Sequence, residues 1–151
     1  MNLSVKSVKF HDDMMQETPC FSASIYLDNK RVGQVRNDGC GGCHSYDWID
    51  RATGREIEEW SLTQETEYDF EKLDDIIFKL CVKADELKDL KRWCKTQLVF
   101  RLKGMGAEEW KTLKPRVGKV WTIKNKRYLE KEYGDKIVRL ANQEVHGDPT
   151  E

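Results

Sequence analysis

The chain has 151 residues, of which 38% are hydrophobic and 35% charged, with a formal net charge of −1. One domain's worth of chain with fifteen aromatic residues is long and apolar enough to bury a core, which excludes a disordered chain. No apolar run approaches the roughly 20 residues needed to cross a bilayer, and the near-neutral balance argues against a general coat for nucleic acid, which stays a possible but not a favoured partner.

The first 36 residues predict strands. Leu3, Val5, Val8 and Phe10 nearly alternate, with a phase slip at Ser7 that predicts a bulge. Phe21, Ala23, Ile25 and Leu27 keep a clean period of two, Asp28-Asn29-Lys30 has turn chemistry, and Val32 and Val35 start the return strand. Asn37-Asp38-Gly39-Cys40-Gly41-Gly42-Cys43-His44 then reads as a loop, because glycines weaken a regular ladder. Residues 46–62 fit either a hairpin turning at Asp50–Gly54 or a short helix with Thr53, Ile57 and Trp60 on one face; the helix is preferred.

Residues 69–95 predict one long helix, with a break near Asp85 as an option. Phe70, Leu73, Ile77, Leu80, Ala84, Leu87 and Cys94 recur at helical spacing, and cations gather at the end where the dipole favours them. Leu80→Ala is expected to cost about 2–5 kcal/mol, as for a buried leucine. A hairpin over 97–114 turns at Gly104-Met105-Gly106, a helix covers 118–133 with Gly134 as its stop, and 136–140 is a short strand. Residues 143–151 read as a flexible tail. The expected architecture is a single α+β domain over 1–142. Its mostly antiparallel sheet, from hairpins at 3–36 and 97–114, packs on the long helix, with the 118–133 helix beside it.

The stretch FSASIYLDNKRVGQVRNDGCGGCHSYDW, with RLKGMGAEEWKTLK and YLEKEYGDKIVRLAN further on, resembles small bacterial and phage proteins in which a hairpin runs into an NDG-x-GG loop. The resemblance implies a single-domain accessory protein of a phage or mobile element. It carries over no catalytic residue.

The loop concentrates the candidate chemistry. Cys40-Gly41-Gly42-Cys43-His44 matches the haem-attachment string CxxCH, but no exported context accompanies it. Zinc fits better: two thiolates across a tight knuckle, His44 as a third ligand and Cys20 or His11 as a fourth, although no second paired half exists. A Cys/His nucleophile is weaker, since adjacent residues rarely meet in catalytic geometry, and a CxxC redox pair belongs at a helix start. A third reading is an anion cradle of loop N–H groups. Charge is uneven: eleven acids against three bases over 47–75, and seven bases without an acid over 110–129. The acidic stretch reads as a solvated face, and the basic one, with Trp110, Trp121 and Tyr128, as a solvated face before a nucleic-acid site.

The preferred expectation is therefore a non-enzymatic binding protein for a host protein or a phosphate-bearing ligand, without metal or cofactor. Asn37, Asp38, Gly39, Gly41, Gly42 and His44 would form the loop, and Lys114, Arg116 and Lys119 the anion contacts. A zinc-stabilised interaction module and a small Cys/His enzyme are the alternatives. Five cysteines, an odd number, point to a reducing cytoplasm.

Overall fold

A computed structural model describes residues 1–67, 71–115 and 118–149. It shows an α+β protein with antiparallel sheets, divided into two compact units, Met1–Asp85 and Glu86–Glu151. The strands expected in one sheet fall into two: a four-stranded sheet in the first unit and a three-stranded sheet in the second. Among the described residues, no helix is long and apolar enough to cross a membrane.

In the first unit, β1 (Leu3–Phe10), β2 (Cys20–Leu27), β3 (Lys30–Asp38) and β4 (Ser45–Trp48) pair in chain order. Asp28 and Asn29 both take positive φ (48° and 66°), the handedness that matches a two-residue turn to strand twist. Ser7 also sits at positive φ, and the register slips between Lys6 and Lys9, so the expected bulge is present. The inner sheet face packs Val8, Phe21, Ala23, Ile25 and Val35 against Ile57, Leu73, Ile77 and Cys81 of the helices α1 (Arg51–Leu62) and α2 (Lys72–Cys94). Ile77 and Cys81 are fully buried there, whereas Leu80 is only half-buried. Ile77 thus takes the central place that spacing assigned to Leu80.

The ambiguity over 46–62 resolves as a strand followed by a helix. Asp50 caps α1, its carboxylate accepting from the Thr53 N–H (2.9 Å) and hydroxyl (2.8 Å). Gly54 is required by close approach rather than by a turn: a Cβ there would lie 2.5 Å from Trp48 Cγ. The Trp48 ring stacks in parallel on Tyr46 at 5.4 Å.

The expected 69–95 helix is α2, unbroken at Asp85; residues 68–70 lie outside the described ones. Its C-terminal part belongs to the second unit, with β5 (Leu98–Leu102), β6 (Lys111–Leu113), α3 (Ile123–Tyr133), β7 (Ile137–Leu140) and α4 (Ala141–His146). The sheet order is β6-β5-β7. Leu98 and Phe100 pack on Leu129 of α3, while Val99 packs with Leu90, Cys94 and Ala141, so central β5 is buried on both faces. The second helix starts at Ile123, later than expected, because Thr122 caps it by accepting from the Asn125 N–H. The polar stretch expected as a tail begins as α4, with Val145 packed on the core.

Two of the aromatic residues among the bases, Trp110 and Trp121, are committed to this unit, whereas Tyr128 is exposed. The guanidinium groups of Arg101 (4.3 Å) and Arg139 (4.9 Å) both lie over the Trp110 ring, and Trp121 donates to Gly147 O (2.7 Å).

Candidate functional site

The site lies in the first unit, where the glycine loop meets the first turn of α2. Asn37, the second-last residue of β3 and only 5% exposed, organises the loop. Its Oδ1 accepts from the Gly39 N–H (2.8 Å) and the Thr18 hydroxyl (2.9 Å). Its Nδ2 donates to Gly42 O (3.3 Å) and faces His44 Nδ1 (3.1 Å). Both ends of the amide are used by the protein itself, which fixes the loop. Gly39 is held at φ +82°, and its carbonyl accepts the N–H groups of Gln16, Glu17 and Thr18, so the segment before β2 is tied to the same loop.

Four of the loop N–H groups expected to cradle an anion already have partners. Gly39 N–H reaches Asn37, Cys40 N–H reaches Asp38 Oδ1 (3.1 Å), and Gly41 N–H reaches Thr18 Oγ1 (3.2 Å). His44 N–H donates to Asp74 Oδ2 at 2.6 Å. Of the expected basic partners, Lys114 and Lys119 belong to the second unit and Arg116 lies outside the described residues.

α2 supplies the other wall. Asp74 is bridged by the His44 N–H on one oxygen and the Tyr46 hydroxyl on the other (2.6 Å), which joins strand, loop and helix. Burial, and then this bond, push the Tyr46 phenol well above its ordinary range. Glu71, immediately before α2, sits at φ +58°, and its carbonyl accepts the Asp75 N–H. Asp75 pairs with Lys79 at 2.8 Å. Together with Thr18, Pro19 and Phe78, these groups enclose a cleft of about 350 Å³.

His44 does not pair with Cys43. Its ring stands edge-on to Phe21 at 4.8 Å, and its Nε2 is buried without a hydrogen-bond partner. Desolvation lowers its pKa from the ordinary value, against an upward pull from Asp74 and Glu71, so the neutral ring is favoured. The Cys43 thiol instead donates to Glu71 Oε1 at 2.8 Å, and that bond, with the carboxylate charge, raises its pKa. A protonated thiol is a poor nucleophile. The metal-capable group among the described residues is Cys43, Glu71 and Asp74, whose donor atoms lie within 4.8 Å of one another; Cys40, His44, Cys20 and His11 are not in it.

The carboxylate half of the site, Glu71, Asp74 and Asp75, was hidden inside an acidic stretch that reads as solvated surface. The available signal was two adjacent acids in the first turn of a helix, where they complement the dipole. That signal says nothing of a loop about thirty residues earlier in the chain.

All five cysteines are free thiols. Burial pushes Cys81 up to about 12 and Cys94 up to about 11, and Cys20 is buried, whereas Cys40 and Cys43 are exposed. A disulfide reagent is expected to modify Cys40 and Cys43 in the native protein and the other three only on unfolding, with Glu71→Gln accelerating Cys43. Early modification of Cys81 or Cys94, read by peptide mass mapping, would contradict the burial described.

In comparisons with protein-family models, curated proteins and solved structures, the chain matches none.

Proposed function

We propose that this is a non-enzymatic binding protein whose cleft receives a basic side chain, lysine or arginine, of a partner protein. The supporting observation is the cleft's composition: Glu71, Asp74 and Asp75 stand on one wall, with Phe78 and Pro19 offering apolar surface to an aliphatic stem. Glu71, Asp74 and Asp75 each hold a partner of the protein's own, but a carboxylate has about four acceptor sites and keeps some for an ammonium or guanidinium. The single protons of the Gly39, Cys40, Gly41 and His44 N–H groups, by contrast, are spent, and the carboxylate charge repels a phosphate. The phosphate-bearing ligand expected at this loop is therefore the weaker occupant. A single side chain suits a cavity of this size. The resemblance to phage and bacterial proteins supports an accessory role with a host protein as partner, and the free thiols support a reducing, cytosolic setting.

Calorimetric titration with an oligo-arginine peptide tests this reading. Saturable binding is expected, weakened about tenfold, or roughly 1.4 kcal/mol, by the double change Glu71→Gln and Asp75→Asn. Asp74 is left intact because Tyr46 and the loop hang on it. Unchanged affinity, or preference for oligo-glutamate, would contradict it.

One observation favours a second reading. The Cys43, Glu71 and Asp74 donors suit a divalent cation such as zinc, which would displace the Cys43 proton. This differs from the zinc knuckle of Cys40, Cys43 and His44 that spacing suggests. Zinc titration should then release a proton and fail in Cys43→Ser.

A further inference from the structure

The outer face of the four-stranded sheet carries a second charge pattern, of opposite sign to the cleft. Two irregularities create it. Lys6 pairs with Ser24 and Lys9 with Ser22, so Ser7 and Val8 together oppose Ala23, and the bulge brings both lysines to the same face. In β3, Tyr26 pairs with Arg31 and Ile25 with Gly33, which leaves Val32 as the extra residue and places Arg31 on the same side as Gln34 and Arg36. The core-facing residues Val8, Ile25, Val32 and Val35 are buried, and Lys6, Lys9, Arg31, Gln34 and Arg36 are exposed.

The resulting face has three cross-strand rows. Ser4, Tyr26 and Arg31 form the first, Lys6, Ser24, Gln34 and Asp47 the second, and Lys9, Ser22, Arg36 and Ser45 the third. It holds four cations, none paired with a carboxylate among the described residues, against Asp47 on the edge strand and Asp38 beyond the third row. Lys6 lies over the Tyr26 ring at 4.5 Å. No large exposed apolar side chain belongs to these rows.

From this placement we infer that the outer face of the β1–β4 sheet binds the phosphate backbone of single-stranded nucleic acid. Charge complementarity carries the assignment. Alternate residues of a strand recur at about 6.8 Å and neighbouring strands at about 4.8 Å, a grid comparable to the spacing of phosphates in an extended strand. Serine hydroxyls and the Gln34 amide lie between the cations and offer neutral donors to phosphate oxygens. A bilayer is disfavoured because nothing apolar on this face would insert. With Tyr26 as the one aromatic ring in the rows, contact is to backbone, and little base preference follows. The basic 110–129 stretch belongs to the second unit, and its Trp110 and Trp121 are committed to packing there.

The test uses the full chain, a fluorescent oligo-thymidine strand, and anisotropy across a salt series. Wild type should bind with a log–log salt slope of about −3, from roughly −0.7 per phosphate contact and four contacts. The variant Lys6→Ser, Lys9→Ser, Arg31→Ser and Arg36→Ser should lose at least tenfold in affinity and most of the slope, while keeping its circular dichroism spectrum. The control Lys114→Ser, Lys119→Ser, Lys124→Ser and Arg127→Ser makes the same change in net charge and should bind within about twofold of wild type. An equal loss in the control would overturn the inference, as would tighter capture of oligo-glutamate or of phosphatidylserine vesicles. If the four-serine variant fails to fold, single charge changes at Lys9 and Arg36 must each lower the slope by about 0.7, and an unchanged slope in both overturns it.

Discussion

Asn142→Ala and Asn142→Leu should each destabilise the second unit by about 2–5 kcal/mol, among the largest single-residue effects in the protein. Asn142 has no exposed surface. Its Oδ1 accepts the Val99 N–H at 2.6 Å, and its Nδ2 donates to Gln97 O at 2.9 Å and to Cys94 O at 3.5 Å. One amide thereby ties the end of α2, the start of β5 and the start of α4 together. Removing it takes the partner from one donor, the Val99 N–H, and from two acceptors, the carbonyls of Gln97 and Cys94, at about 1–3 kcal/mol for each group left unsatisfied. Leucine restores the volume without the hydrogen bonds, so it separates the polar contribution from the cavity. Urea denaturation of both variants is the measurement. A midpoint unchanged in either would show that water replaces the amide.

Ile77→Ala should cost about 2–5 kcal/mol, and Leu80→Ala distinctly less. Ile77 is fully buried between α2 and the inner face of the first sheet, while Leu80 packs only against the margin of that cluster. Replacing isoleucine by alanine gains slightly more helix propensity than replacing leucine, which works against the expected order, so a larger cost at Ile77 reports burial. Equal costs, or a larger one at Leu80, would mean that the helix face is rotated from the one described.

Local signals were the legible ones. Asp28-Asn29 dictated its turn, Ser7 its bulge, and the apolar spacing of 72–94 its helix, because each depends on neighbours within a few residues. Partition of the strands into two sheets was not legible, since an alternating strand declares a buried face but not its partner. Asn142 shows the same limit from the polar side: the last residue of the expected domain, it has no distinguishing sequence signal until β5 is set against it. The candidate site was half legible. Glycines and Asn37 marked the loop, but Glu71, Asp74 and Asp75 acquire meaning only when α2 is placed beside it. Trp110 read as part of a solvated basic face and is covered by the guanidinium groups of Arg101 and Arg139.

Recognition of a basic side chain by the cleft is the central claim. Amide and methyl resonances followed by nuclear magnetic resonance during titration with an oligo-arginine peptide test it most directly. Thr18, Gly42, Cys43 and Asp75 should shift together and saturate with one dissociation constant, which Glu71→Gln plus Asp75→Asn should raise about tenfold. Shifts scattered over exposed acids such as Glu56, Glu59 and Glu132, unsaturated and indifferent to that double change, would contradict it.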